Sequence, residues 1–130
     1  MTKKISLALI AALFASLSLP LLAAAPGQVQ KGIASYYHDS LHGNKTASGQ
    51  IYNKNKMSAA HKSLPLGSKV RVTDVRTGKS IVVKVNDRGP FVKGRIIDLS
   101  RRAAAELGLL KKGVTPVKVE VLSVPGRRGA

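Results

Sequence analysis

The chain contains no cysteine among its 130 residues. This absence excludes disulfide bonds and thiolate metal sites. It also excludes a bacterial lipoprotein N-terminus, because that modification needs a cysteine directly after the signal segment. Acidic residues are scarce as well, since 22 Lys and Arg stand against 6 Asp and Glu. Any carboxylate chemistry must therefore use one of six side chains, which are Asp39, Asp74, Asp87, Asp98, Glu106 and Glu120.

The N-terminus has the three parts of a secretory signal peptide. Two lysines give a positive start, residues 5–22 are almost wholly apolar, and alanines occupy positions 23–25. The apolar run approaches the length that spans a bilayer, so a retained membrane anchor is the alternative. Pro20 and the alanines favour cleavage. We therefore predict a signal peptide over residues 1–25, a periplasmic or secreted location, and no stable membrane anchor after cleavage.

Without that segment, about 105 residues remain, which suffices for one domain with a modest core. They carry 20 basic against 6 acidic residues, a net charge of +14. Such a surface attracts polyanions at long range. Outside the membrane the abundant polyanions are the cell wall and anionic lipid headgroups, so we expect the wall as partner and not nucleic acid. An exported protein that interferes with another cell's surface or nucleic acid is a further class, which would rest on charge alone.

Short alternating apolar runs, separated by Gly, Asn and Asp, are typical of β-strands. Thr77-Gly78 marks a hairpin turn between two of these runs. About six such strands with one or two short helices predict a mainly β fold, a small six-stranded barrel. The clearest runs cover residues 33–37, 57–60, 69–73, 80–85 and 117–122.

One helix is predicted over residues 101–107, with Ser100 as its N-cap and Gly108 at its end. Residues 38–55 are rich in Gly, Asn, Ser and Lys without a sustained period, and loops of that length in a compact domain are usually functional. The predicted boundaries are a linker over residues 26–31, the barrel over residues 32–123 and a flexible tail over residues 124–130.

Asp87 lies where an apolar strand stops and a Gly-Pro turn follows, in Asn86-Asp87-Arg88-Gly89-Pro90-Phe91. A strand end projects such a side chain into a loop region, which is a usual place for catalytic groups. The alternative is that Asp87 caps the turn through its neighbouring backbone, as Asp commonly does. Both interpretations remain open at this level.

The other acidic side chains have more ordinary interpretations. Asp98 immediately precedes the predicted helix, whose N-terminal field favours a carboxylate; it could shape a site, or it could organise the helix start and pair with Arg95. Asp74 lies in the predicted hairpin turn, and Glu106 and Glu120 lie on predicted exposed faces. We expect these last three to be solvated charges.

Histidine and tyrosine supply the remaining candidates. A single histidine such as His61 is more often a structural hydrogen-bonding residue than a catalyst. His38 and His42 lie in a loop that contains Gly43-Asn44, without the helical spacing that would suit a metal, so we expect no metal or other cofactor. Tyrosine rings can stack on sugars, but Tyr36 and Tyr37 alternate in a predicted strand, so one of the two should belong to the core.

Taken together, these segments resemble the rare lipoprotein A (RlpA) family of cell-wall lytic transglycosylases. The likeness runs from about Gly32 to Leu122. It is carried by Gly32-Ile33-Ala34-Ser35-Tyr36-Tyr37, His42-Gly43, Thr46-Ala47-Ser48-Gly49, Ser58-Ala59-Ala60-His61, Leu64-Pro65-Leu66-Gly67, Val85-Asn86-Asp87-Arg88-Gly89-Pro90-Phe91 and Arg95-Ile96-Ile97-Asp98-Leu99-Ser100.

The resemblance implies a double-psi β-barrel, the fold of expansins and barwin-like proteins. It also implies endolytic cleavage between N-acetylmuramic acid and N-acetylglucosamine in peptidoglycan glycan strands. In this reaction the muramoyl hydroxymethyl oxygen attacks its own anomeric carbon, which leaves an anhydromuramic end. One carboxyl group can protonate the leaving oxygen and later accept the nucleophile's proton, so the paired carboxylates of hydrolases are not required.

Family members use an aspartate and a histidine that match Asp87 and His61, and a glutamate just after the Thr-Ala-Ser-Gly stretch. This chain has Gln50 at that last position, and glutamine cannot ionise or transfer a proton. The resemblance implies a site with Asp87 as general acid and base and His61 as its partner. We expect the protein to be a monomer. The implied substrate-binding residues are Gln50, Asp98, Tyr37 and Arg88.

The alternative, favoured by Gln50, is a non-catalytic, expansin-like protein that binds or loosens the wall. The enzymatic interpretation further requires that the side chains of Asp87 and His61 share one positively charged groove with room for a sugar. Arg88 is the next residue along the chain, so its guanidinium must point away if it is not to pair with Asp87.

Overall fold

A computed structural model of the chain describes residues 24–126. The predicted signal peptide, apart from its last two residues, lies outside the described residues, and so do positions 127–130 of the predicted tail. Within residues 24–126, no helix is long and apolar enough to cross a membrane.

The described residues form six strands, one short 3₁₀ turn and one α-helix. The elements in chain order are β1 (Val29–Tyr36), the 3₁₀ turn (Asp39–Leu41), β2 (Ser58–His61), β3 (Lys69–Asp74), β4 (Ser80–Asp87), β5 (Arg95–Leu99), α1 (Arg101–Leu107) and β6 (Thr115–Ser123). β1 begins at Val29 and so includes the last three residues of the segment interpreted as a linker.

The strands close into a barrel in the order β1-β5-β2-β4-β3-β6. The pairs β1–β5 and β2–β4 are parallel, and the other neighbours are antiparallel. The prediction of a mainly β, six-stranded double-psi barrel is confirmed. Because β2 and β4 run side by side in the same direction, their C-terminal ends, at His61 and Asp87, open at the same end of the barrel.

Period-two alternation places one face of each long strand inside the barrel. The inward side chains of β3, β4 and β6 are Val70, Val72, Ile81, Val83, Val85, Val117, Val119 and Val121, each less than a tenth exposed. β1 packs closely on β5 at Gly32, where a Cβ atom would lie 2.6 Å from Cγ2 of Ile96. Only glycine permits this approach.

The predicted helix is confirmed with its bounds and both caps. Oγ of Ser100 accepts a hydrogen bond from the backbone N–H of Ala103 at 3.2 Å and donates one to the carbonyl oxygen of Lys56 at 2.5 Å. Gly108 ends the helix at φ 81°, in the left-handed region that favours glycine. The Ser100 hydroxyl thus joins the helix start to the segment before β2.

The expectation that Asp74 is solvated is wrong, because its side chain is 1% exposed. The carboxylate accepts hydrogen bonds from the backbone N–H of Arg76 at 2.8 Å and from Nζ of Lys112 at 3.2 Å. Burial alone raises the pKa of Asp74, but these two donors outweigh burial and hold the pKa below its ordinary value. The buried charge fixes the β3–β4 hairpin to the segment before β6.

We expect Asp74→Asn to lower the free energy of unfolding at pH 7 by about 1.5 kcal/mol, because the buried carboxylate loses its charged hydrogen bond from Lys112, whose own side chain stays partly exposed to water. The folded-state pKa lies below 3.8, so this stabilisation is present above that pH and is lost as the pH falls through the folded value. Urea unfolding of both proteins at pH 7 and pH 3 measures the difference.

Glu106→Gln is the matched control, since Glu106 forms an exposed ion pair with Arg102 on the helix surface. Its effect should stay within about 0.5 kcal/mol at either pH. A loss of similar size in both variants would show that the bond between Asp74 and Lys112 stabilises the fold no more than an exposed ion pair does.

Candidate active site

The Asp87 carboxylate is held by donors from three separate segments. Oδ1 accepts hydrogen bonds from the backbone N–H groups of Ala47 at 2.8 Å and Arg88 at 2.9 Å, and Oδ2 accepts one from the hydroxyl of Tyr37. A carboxylate has about two acceptor positions on each oxygen. The two positions on Oδ1 are therefore filled, and one on Oδ2 is open. Of the three hydrogen bonds, only the one from the Arg88 N–H is the kind that the turn-capping interpretation predicts.

Tyr37 supports Asp87 and does not offer its ring to a ligand. The side chain is 8% exposed, and its ring stacks on Tyr52 with centroids 4.2 Å apart and planes 12° apart. Burial, followed by the hydrogen bond to Asp87, raises the pKa of Tyr37 far above its ordinary value of 10.0. The phenol therefore keeps its proton and donates to Oδ2. Of the two tyrosines, Tyr37 is the one that is buried.

Asp87 differs from the other acidic residues in its charge environment. All six Asp and Glu side chains lie within the described residues, and five of them form ion pairs there. Asp87 has no basic side chain within ion-pair distance among residues 24–126. The five pairs are Arg71–Glu120, Arg95–Asp98, Arg101–Asp39, Arg102–Glu106 and Lys112–Asp74.

Asp87 lies on a cleft of about 540 Å³ at the end of the barrel, which we call the Asp87 cleft. Its walls include Tyr37, Arg88 and Asp98, which are three of the four predicted substrate-binding residues. Asp98 pairs with Nη2 of Arg95 at 2.7 Å, as the structural interpretation expected. Phe91 also lines this cleft and is 80% exposed. The sequence pattern marks Phe91 only as part of a turn and does not predict that its side chain is exposed.

His61 lies on a different cavity, of about 160 Å³, together with Gln30. Its Nδ1 accepts hydrogen bonds from the backbone N–H groups of Ser63 and Leu64, each at 3.1 Å, and Nε2 lies 2.8 Å from Oε1 of Gln30. Since Nδ1 accepts, Nε2 carries the proton and donates to Gln30. Burial, then the charges of Arg88 and Lys62, lowers the pKa of His61 to about 4.

The structure therefore does not bring Asp87 and His61 into one groove. In the parallel pair β2–β4, Asp87 lies beside Ala60, and the side chain of the following residue, His61, projects to the other face. Both ring nitrogens of His61 have partners other than Asp87. This geometry does not support direct proton exchange between the two side chains.

The Arg88 guanidinium points away from Asp87. Nη1 donates to the backbone carbonyl oxygens of Leu64 at 2.6 Å and His61 at 3.2 Å. The same turn that His61 holds through its Nδ1 thus also holds Arg88. The positive charge next to Asp87 in the chain is in this way kept from pairing with its carboxylate.

Gln50 borders a neighbouring cleft and not the Asp87 cleft. Its Oε1 accepts hydrogen bonds from Nδ2 of Asn86 at 3.3 Å and from Oγ of Ser48 at 3.4 Å. The backbone N–H of Ser48 in turn donates to the carbonyl oxygen of Asn86 at 3.2 Å. Gln50 thus fixes the loop that supplies the Ala47 N–H to Asp87. Over the described range, no three His, Asp or Glu side chains cluster in a way that could hold a metal ion.

Comparison with known proteins agrees with this architecture. Residues 29–119 match the model of the family described as lytic transglycolase. The chain is similar to the endolytic peptidoglycan transglycosylase RlpA of Pasteurella multocida, with 58% identity over 100 residues, which is 77% of this chain and 34% of the relative. It is also similar to the probable endolytic peptidoglycan transglycosylase RlpA of Nostoc sp., with 54% identity over 94 residues, 71% of this chain and 25% of the relative.

The chain thus spans between a quarter and about a third of the length of these curated relatives. Among solved structures, the Streptomyces papain inhibitor superposes with a TM-score of 0.62 and 26% identity, over 75% of this chain and 98% of that protein. The chain belongs to the lytic transglycolase family of double-psi β-barrels, the family that includes the RlpA proteins.

Proposed function

We propose that the chain cleaves the glycan strands of peptidoglycan as a lytic transglycosylase, with Asp87 as its acid and base. The observation that carries this proposal is the state of the Asp87 carboxylate. It is the one acidic side chain of the described residues without an ion pair, it is fixed by three donors, and it has one open position on Oδ2 beside a cleft of about 540 Å³. The curated relatives carry the same activity in their names.

The requirement that Asp87 and His61 share one groove is not met, so the proposal assigns no proton transfer to His61. The reaction needs only one carboxyl group. The reaction starts from the protonated form of Asp87, in which Oδ2 carries the proton and gives it to the glycosidic oxygen as the bond between that oxygen and the muramoyl anomeric carbon breaks. The muramoyl hydroxymethyl oxygen then bonds to the same carbon and returns its proton to Oδ2, so the carboxyl is regenerated without water. The other carboxylate of the Asp87 cleft, Asp98, is held by Arg95.

The exposed ring of Phe91 is the part of this cleft that suits the apolar face of a sugar. Tyr37 does not suit this role, because its side chain is only 8% exposed and one face of its ring is stacked on Tyr52. Tyr37 is a positioning residue that orients Oδ2. We assign sugar stacking to Phe91 and orientation of the carboxylate to Tyr37, Ala47 and the Arg88 backbone.

We expect Asp87→Asn to lower the rate of anhydromuropeptide release from isolated sacculi by about 100- to 10,000-fold, the contribution of a positioned acid and base. Asparagine preserves the size of the side chain and its bond from the Ala47 N–H, so binding should persist. Mass spectrometry of the released fragments measures the rate, and co-sedimentation with sacculi measures binding. If the variant loses co-sedimentation as well, Asp87 acts in binding or folding and not in chemistry.

The second candidate function is a non-catalytic, expansin-like protein that binds or loosens the wall, and Gln50 is the observation that favours it. The amide at this position keeps the hydrogen bonds to Asn86 and Ser48 that a glutamate would make, but it cannot transfer a proton. Because Gln50 borders a different cleft from Asp87, we infer that this position shapes the loop and is not the acid.

We therefore expect Gln50→Glu to change the rate of anhydromuropeptide release by less than about tenfold, well below the effect of a general acid. The measurement compares both proteins on the same sacculi, with Gln50→Ala to test the supporting role. An unmodified chain that releases no anhydromuropeptide, with activity appearing in Gln50→Glu, would overturn the enzymatic proposal and establish the wall-binding one.

We infer that His61 and Arg88 act on Asp87 indirectly, as positioning residues. The neutral imidazole of His61 holds the turn at residues 62–64 through its Nδ1, and the carbonyl oxygens of His61 and Leu64 hold the Arg88 guanidinium. With the turn intact, the guanidinium stays bound to it. With the turn lost, the guanidinium is free to pair with the adjacent carboxylate and fill the open position on Oδ2.

We expect His61→Asn to retain most activity and His61→Leu to lose it. The asparagine Oδ1 can replace Nδ1 as acceptor for the two N–H groups, whereas leucine leaves both donors without a partner. Release of anhydromuropeptides by folded protein, verified by circular dichroism, measures the difference. Equal inactivity of both folded variants would contradict the positioning role of His61.

The pH dependence of the free energy of unfolding reports the protonation of His61 independently of activity. The His61 pKa is about 4 in the folded chain against 6.5 for the ordinary group, so the unfolded chain binds the proton first. The stabilisation is present above pH 6.5 and is lost as the pH falls toward about 4. This part of the pH dependence should disappear in both His61 variants.

We infer that the chain acts outside the cytoplasmic membrane, in the periplasm or after secretion, as a monomer without a retained anchor. The support is the predicted signal peptide over residues 1–25 and the wall-directed activity in the names of the relatives. The net positive charge fits a substrate that carries peptide carboxylates.

A further inference from the structure

A second cleft, of about 720 Å³, lies beside the active site and is larger than the Asp87 cleft. We call it the lysine cleft, because the lysines on its walls are Lys56 and Lys84. Gln50 and Asn86 also line it, and Asn86 is the residue directly before Asp87. No acidic side chain is among its lining residues.

The positive charge of the lysine cleft is uncompensated within the described residues. Lys84 on β4 stands directly opposite Lys69 on β3, and none of the ion pairs in residues 24–126 includes Lys56, Lys69 or Lys84. Like charges directly opposite each other on neighbouring strands destabilise a sheet. A bound anion would remove this repulsion, and residues 24–126 place no acidic side chain against these lysines.

The remaining groups of the cleft suit a sugar. His42 accepts a hydrogen bond on Nδ1 from the backbone N–H of Lys54 at 3.1 Å, which leaves Nε2–H as a donor towards the cleft. The ring lies edge-on to Tyr52, with centroids 6.4 Å apart. Ile51, 56% exposed, adds an apolar surface to the same cleft. The cleft thus combines cations, a neutral donor and an apolar patch.

We propose that the lysine cleft is a second glycan subsite that binds a sugar through a carboxylate, next to the bond cleaved at Asp87. This inference rests on the proposed function and extends it to the chemistry of the strand. The carboxylate can come from the lactyl ether of muramic acid or from the stem peptide attached to it. Lys56 and Lys84 bind the carboxylate, and Ile51 and His42 contact the sugar ring.

Equilibrium binding in the Asp87→Asn background tests the subsite without turnover. Three probes separate the contributions: a chitin hexasaccharide, which has no carboxylate; denuded glycan strands, which carry only lactyl carboxylates; and strands that carry stem peptides. The test variant is Lys56→Gln with Lys84→Gln. The matched control is Lys79→Gln with Lys111→Gln, because both lysines are exposed, without an ion pair in the described residues, and outside the lysine cleft.

We expect the test variant to bind carboxylate-bearing strands about fivefold more weakly for each lysine at low salt, and the chitin hexasaccharide as tightly as the parent. High salt should reduce the difference. A loss on denuded strands assigns the carboxylate to the lactyl group, and a loss confined to peptide-bearing strands assigns it to the stem peptide.

The proposal is overturned if the test variant binds all strands normally, if it loses the chitin hexasaccharide equally, or if the control variant weakens binding as much. Its failure is separable from failure of the proposed function. Binding that depends on these lysines without anhydromuropeptide release by the unmodified chain would sink only the enzymatic proposal. Release with unchanged binding in the test variant would sink only the subsite.

Discussion

The arrangement depends on one constraint, the fixed orientation of the Asp87 carboxylate at the end of β4. Its three donors come from Tyr37, directly after β1, from Ala47 in the long loop and from Arg88 after β4 itself. These segments are far apart in the chain and meet only because the barrel closes. The hydrogen bonds leave one position open on Oδ2, so the fold determines which oxygen of Asp87 can accept a further partner.

Closure of the barrel also separates the two groups that the family resemblance places in one site. β2 and β4 end at the same edge, but strand alternation sends Ala60 and His61 to opposite faces. His61 instead binds the turn at residues 62–64, and the same turn binds the Arg88 guanidinium. Under the proposed function, His61 is needed for activity without contacting the substrate. It keeps the Arg88 guanidinium, the basic group nearest to Asp87 along the chain, away from the carboxylate.

Much of the fold was predictable from the sequence, because local rules decide it. Period-two alternation located β3, β4 and β6, and Ser100 and Gly108 bounded the helix correctly. The site was predictable only as a set of residues. The bond from Tyr37 to Asp87 and the burial of Asp74 against Lys112 depend on barrel closure, which no local pattern encodes. The face to which His61 projects follows from strand alternation once Ala60 is known to pair with Asp87, and the sequence does not show that pairing.

The excess of cations explains why an unpaired carboxylate is rare among the described residues. Five of six acidic side chains are in ion pairs, and Asp87 avoids one because backbone and phenol donors fill its other acceptor positions while the Arg88 guanidinium is bound elsewhere. A glutamate at position 50 would share the lysine cleft with Lys84 and offer it a charge partner. Glutamine keeps the bonds to Asn86 and Ser48 without that charge. With glutamine at position 50, none of the side chains lining the lysine cleft is acidic, which is the condition that the proposed binding of a strand carboxylate needs, and the proposal assigns proton transfer to Asp87 alone.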